Sequence, residues 1–146
     1  MQYASFSDEF IVRLERGEEV VDTLTRFVRD QGIRAGVISG IGAVRNVTLG
    51  YFDPDTKEYT NETFEESLEV ASLNGSVSMF EEDTILHLHA TLADRHHAAR
   101  AGHLFSATVS ATVEVHISRL PGVLRRAKDH FTGLNLLDLD GGNGDA

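Results

Sequence analysis

Phe105-Ser106-Ala107-Thr108-Val109-Ser110-Ala111-Thr112-Val113-Glu114-Val115-His116-Ile117 is the stretch on which the fold turns. Phe105, Ala107, Val109, Ala111, Val113, Val115 and Ile117 share one parity. Ser106, Thr108, Ser110, Thr112, Glu114 and His116 share the other. Successive side chains of a strand point to opposite faces, so this alternation predicts a long strand with one buried side and one polar side.

The regions before it read as strands as well. Thr84 to Leu92 predicts a strand, joined to the long one by a loop from Ala93 to Gly102. Leu68 to Leu73 and Ser76 to Phe80 read as two short strands, because Asn74-Gly75 between them is a strong two-residue hairpin pair. Gly36 to Val44 is an apolar, glycine-interrupted strand leading into another, Val47 to Phe52. Asp53-Pro54-Asp55-Thr56 supplies a turn with proline at its favoured second position. Phe10, Val12 and Leu14 alternate with polar neighbours and give a first strand.

One segment follows a different period. Val20, Val21, Leu24, Phe27 and Val28 recur at helical spacing and predict one apolar stripe on a helix from about Glu18 to Asp30. Acidic Glu18, Glu19 and Asp22 at its start suit the helix dipole, and Gly32 is a natural terminator. A short helix is expected after Pro121, and Leu134 to Leu139 form a last apolar segment. Residues 140–146 read as an acidic, glycine-rich tail with no order of its own. The expected fold is therefore α+β, with a mostly antiparallel sheet and one main helix packed on it. Residues 1–139 are read as a single domain.

Composition narrows the function classes. The chain has 146 residues, a length typical of one domain. It has no cysteine, so a metal site must rest on His, Asp or Glu. The net charge of −10 disfavours broad binding to a phosphate backbone. The best local basic patch is Arg119, Arg125, Arg126 and Lys128, read as a solvated connection carrying scattered cations. The N-terminus lacks the basic start and apolar run of a signal peptide, and no apolar stretch is long enough to span a bilayer. The expectation is a cytoplasmic protein that does not enter membranes.

The residues with chemistry are histidines. His87 and His89 are two apart on a predicted strand, so they project from one face while Leu86, Leu88, Ala90 and Leu92 occupy the other. Both can then reach one ion at zinc–nitrogen distances of about 2.0–2.1 Å. If the two strands pair antiparallel, His103 returns close to them. The plain alternative is three polar residues on a solvated sheet face; a third histidine on the neighbouring strand favours the metal. His96 and His97 are read as exposed loop residues. His116 is read as solvated or at an interface, Glu114 beside it as a surface carboxylate or a distant ligand, and His130 has no assigned role. Gly36-x-x-x-Gly40-Ile41-Gly42 lacks the Lys-Ser/Thr of a phosphate loop, and Ser39 is read as structural.

Several segments, in order, match a known pattern: Gly40-Ile41-Gly42-Ala43-Val44, Leu49-Gly50-Tyr51-Phe52-Asp53-Pro54, Leu68-Glu69-Val70-Ala71-Ser72-Leu73-Asn74-Gly75, His87-Leu88-His89, Gly102-His103-Leu104, Ala111-Thr112-Val113-Glu114-Val115 and Thr132-Gly133-Leu134. Together, from about Phe10 to Leu139, the chain resembles the PPC domain family, also called DUF296, in its stand-alone prokaryotic form. The resemblance implies an α+β domain that assembles as a homotrimer. It also implies a metal site on His87, His89 and His103, the positions that match histidines of prokaryotic members. Plant members join the domain to AT-hooks that bind AT-rich minor grooves, and there the domain contacts other proteins. No Arg-Gly-Arg-Pro hook core occurs here, so that DNA-binding element is not carried over.

The function expected from these readings is a trimeric metal-binding protein, a binding or regulatory module with a divalent ion, by default zinc, on three histidines. Two alternatives stay open: a DNA-associated regulator, and a metal-dependent hydrolase with a three-histidine, water-bearing centre. No catalytic residue can be picked from the sequence, so a binding role is favoured over an enzyme.

Overall fold

The computed structural model of the chain describes residues 1–139; the expected tail, 140–146, lies outside the described residues. The elements are β1 (Gln2–Phe6), β2 (Glu9–Glu15), α1 (Val20–Asp30), β3 (Gly36–Asp53), β4 (Glu58–Phe64), β5 (Leu68–Phe80), β6 (Asp83–Ala93), β7 (Ala99–Arg119), β8 (Arg125–Lys128) and β9 (Asn135–Asp138). All strands join one sheet, in the order β1-β2-β7-β3-β5-β8-β9, with β4 on β3 and β6 between β5 and β7. Every pairing is antiparallel except the single β5–β8 bridge.

Two long strands organise the sheet. β3 pairs β5 through its first half, β4 through its second half, and β7 along both. β7 pairs β6 through Ala99–His103, then β3, and finally β2. The pairings β3–β5, β5–β6, β6–β7 and β7–β3 therefore close into a ring. Val44, Val70, Leu73, Leu92, Leu104 and Val113 point inward and are buried. Burying each such aliphatic side chain contributes about 1.5–3 kcal/mol.

The helix forms where its period predicted. Val20, Thr23, Leu24, Phe27 and Val28 are its buried residues, and Phe27 meets Phe10 of β2 edge-on, with ring centroids 5.7 Å apart. The Glu19 carboxylate caps the N-terminus by accepting the Asp22 N–H at 2.5 Å, and it also accepts the Ala107 N–H at 2.8 Å. One side chain thus satisfies an orphan helix donor and ties the helix to the long strand. Gly32, at φ 64°, follows the last turn.

Several expectations need correction. Asn74-Gly75 does not turn the chain: it lies inside β5, opposite His89 and Leu88. Close packing explains the glycine, since a Cβ on Gly75 would collide with the carbonyl oxygen of His87. The hairpin comes later, at Glu81-Glu82, where Phe80 pairs with Asp83 and Glu81 takes φ 53°. The segments 36–44 and 47–52 are one irregular strand rather than two. The segment after Pro121 leads into β8 and not into a helix. The 93–102 loop shrinks to 94–98, held by the Asp94 carboxylate, which accepts the N–H groups of His96 and Ala98 at 2.8 and 3.0 Å. Strands β1 and β4 carry no clean alternation and were not anticipated.

One correction bears directly on the site. Opposite Thr48 and Leu49, β7 presents Ser106 and Leu104, so the pairing skips Phe105. This irregularity shifts the buried parity by one residue. Leu104 faces the core, and Phe105 turns outward at 38% exposure. Ala111 is likewise exposed, where the β3 pairing skips from Val113 to Val109.

Candidate metal centre

β6 and β7 place the histidine group through ladder geometry. Leu88, Ala90 and Leu92 of β6 are buried, which leaves His87 and His89 on the outer face. His103 stands directly across from His89 in the β6–β7 register. Cross-strand partners share a face, so His103 joins the pair. One ring nitrogen from each of His87, His89 and His103 lies within 4.8 Å of the other two. The ring centroids are 5.1, 5.2 and 5.5 Å apart.

Three features suit a metal ligand set. The Nε2 atoms of His87 and His89 are 3.2 Å apart. Two nitrogens bound tetrahedrally to zinc would be separated by roughly 3.3 Å, given bonds of about 2.0–2.1 Å. Without an ion the same separation is an N–H···N hydrogen bond. Next, Nδ1 of His103 is buried and has no hydrogen-bond partner. A buried ring nitrogen without a partner is costly unless something else takes its lone pair. Lastly, burial pushes the His103 pKa down to about 4, helped by His87, His89 and Arg126. Burial lowers that of His87 too, with Arg126 and His89 adding to it. Both rings are therefore neutral at pH 7, the form that ligates metal. These residues fit a divalent ion.

The surroundings are apolar on one side and cationic on another. Phe105 lies 4.6 Å and Tyr59 5.6 Å from the His103 ring, centroid to centroid. Gly50, opposite His103, makes room for this wall, because a Cβ there would collide with the Phe105 ring. Arg126 of β8 lies against Ser78, two residues along β5 from Ser76, the partner of His87. Its Nε donates to Ser78 Oγ at 2.7 Å and its Nη1 to the Asn135 carbonyl at 2.7 Å. Its Nη2 is buried without a partner. Among the described residues no carboxylate joins the three-histidine group.

The remaining histidines stand apart from the group. His96 and His97 are exposed in the 94–98 turn, as expected. His116 is paired with the Glu9 carboxylate, Nε2 to Oε2, at 2.5 Å. The other oxygen of Glu9 accepts from Ser118 Oγ at 2.8 Å. Glu114 is exposed, and among the described residues neither it nor His130 belongs to a ligand group. The expected basic patch is dispersed. Arg119 donates to the Gln31 carbonyl at 2.7 Å and sits over Phe10, while Arg126 is tied between β5 and β9.

Sequence reasoning missed Phe105, Tyr59, Arg126 and the strand role of Asn74. Only Phe105 left a trace: the adjacent apolar pair Leu104-Phe105 makes the phase ambiguous at that point. Arg126 sits in a four-residue strand, too short to carry a period.

Known proteins match most of the chain. A family model described as the Plants and Prokaryotes Conserved (PCC) domain matches residues 1–121. A solved structure from Bacteroides thetaiotaomicron VPI-5482, named as a candidate DNA-binding protein, superposes with a TM-score of 0.91 at 35% identity, covering 94% of this chain and 96% of that one. The metal-containing protein AF0104 from Archaeoglobus fulgidus superposes with a TM-score of 0.84 at 38% identity, covering 93% and 96%. Over 94 residues, 64% of its length, the chain is 35% identical to the bifunctional protein GlmU of Synechococcus sp. (strain JA-3-3Ab), and it spans only 14% of that protein.

Proposed function

The chain belongs to the Plants and Prokaryotes Conserved domain family, and we propose that it is a metal-binding member of it, with one divalent ion, by default zinc, held by His87, His89 and His103. The observation that carries this reading is the buried, partnerless Nδ1 of His103 inside a group of three imidazoles. A relative 38% identical over nearly the whole chain is itself metal-containing, which supports the same reading.

A binding or regulatory role is favoured over hydrolysis. Three imidazoles leave one position of a tetrahedral ion open, and zinc so held lowers the pKa of water to about 7. Hydrolysis also needs a general base, and no carboxylate joins the group among the described residues. A DNA-associated role draws support from the names of two relatives alone. The net charge of −10 and the inward-tied Arg126 weigh against it.

The reading extends to a homotrimer. Ile11 and Ile41, 45% and 58% exposed, border a shallow depression of about 420 Å³ on the outer sheet face, with Ser39, Gly40 and Ser72 between them. Exposed isoleucines around a floor of small residues, with Glu114, His116 and Asn74 also lining it, suit a self-association surface of mixed character. Sedimentation at micromolar protein is expected to give a trimer, and a clean monomer would contradict it.

Elemental analysis after metal reconstitution tests the centre. One ion per chain is expected, with loss of binding in a His87→Ala, His89→Ala double variant. Substoichiometric metal that the double variant leaves unchanged would sink the proposal.

A further inference from the structure

We propose that Arg126 is the second anchor of the histidine site, and that the site takes a small organic carboxylate, held between the ion and the Arg126 guanidinium. The inference rests on the metal reading above.

The placement comes from strand register. Ser76 of β5 pairs with His87, and Ser78 lies two residues further along the same face. A diagonal neighbour of this kind is about 7–8 Å away, within reach of a long side chain. The Arg126 guanidinium is fixed on Ser78, whose own side chain is fully buried, and is tied a second time to the Asn135 carbonyl. Two of its donor positions are spent on holding it still. The third, Nη2, is buried and has no partner.

Charge balance then identifies the ligand class. A dication on three neutral imidazoles beside a guanidinium has no compensating carboxylate in the ligand group among the described residues. The ion and the guanidinium lie on a half-exposed face with no protein carboxylate between them among the described residues, an arrangement that favours an anionic ligand. A carboxylate suits both partners, with one oxygen on the ion and the other accepting from Nη2. Phe105 and Tyr59 offer aromatic surface to the organic remainder. Arg126 also lies beyond residues 1–121, the segment that the family model matches. The anchor is thus supplied by the C-terminal strands β8 and β9.

Cobalt(II) provides the probe, because its visible spectrum reports both uptake and a change of ligand. Cobalt-loaded protein is titrated with benzoate and with its neutral isostere benzamide. Benzoate is expected to shift the spectrum and benzamide to leave it unchanged. Arg126→Met is expected to take up cobalt normally but to weaken benzoate by roughly tenfold or more, the effect of losing a charge-assisted hydrogen bond. Should Arg126→Met fail to fold, Arg126→Gln, which can still bond Ser78, carries the same comparison. Benzoate affinity unchanged in a folded variant, or an equal response to benzamide, overturns the proposal while leaving the metal site intact. Failure of the parent protein to take up cobalt overturns the metal reading and this one with it.

Discussion

His103 and His116 lie on the same strand, both outside the core, and their surroundings differ in every respect. His103 faces two other imidazoles and two aromatic rings, and its Nδ1 has no partner. His116 faces the Glu9 carboxylate and hydrogen-bonds to it in the open. Residue type does not separate the two, and the residue skipped at Phe105 brings both to the outer face despite their opposite parity. The neighbouring strands do: β7 meets β6 at His103, where two more histidines wait, and β2 at His116, where an acid waits. A histidine offered a carboxylate spends its ring nitrogen on a hydrogen bond to it. A histidine denied one, and partly buried, keeps a free lone pair.

The sharpest way to break this contrast is to remove each ring in turn. His103→Ala is expected to lower metal affinity by more than the tenfold to hundredfold typical of losing an outer-shell partner. His116→Ala is expected to leave metal uptake unchanged. Competition against a chromophoric chelator measures both, and equal losses would erase the distinction.

A smaller effect lies in pH. The folded His103 pKa, about 4, is below the ordinary 6.5, so between these values the unfolded chain binds more protons than the folded one. Metal-free protein should therefore lose stability as pH falls from about 6.5 toward 4, with no further loss from this group below that. His87 is shifted the same way and adds to the slope. His103→Asn should flatten the slope in denaturant melts across this window. An unaltered slope would show that the neutral ring is not what the fold protects.

Glu9 gives the smallest effect. Its carboxyl pKa is lowered, first by the Ser118 hydrogen bond and also by the hydrogen bond and charge of His116, so its stabilisation is present above about 4.5 and is lost as pH falls through the lowered value. The group is fully exposed, where ion pairs contribute little. Glu9→Gln should barely move Tm at pH 7; a large drop would mean that this pair holds the β2–β7 edge after all.

What could be read from the sequence follows from how local each cause is. The β6 phase puts His87 and His89 on one face through the period of a single strand, and Leu88, Ala90 and Leu92 confirm it from their own burial. The helix needed only Val20, Leu24, Phe27 and Val28. Phe105 was misplaced because a skipped residue in a ladder is set by the partner strand, here β3. Asn74-Gly75 was misread because the same dipeptide serves a tight turn or a close backbone approach, and only the His87 carbonyl opposite decides. Arg126 was out of reach for a similar reason. Its importance comes from Ser78, 48 residues earlier, and no pattern within β8 records that contact.

The closed ring of strand pairings has one more consequence. His89 and His103 are held opposite each other by backbone ladder bonds within that ring, which do not depend on their imidazoles. Small zinc domains assemble their ligands only when the ion arrives, and a chelator unfolds them. Here the scaffold comes first, so a chelator should strip the ion and leave the fold standing. Such a protein can lose, regain or exchange its ion without refolding.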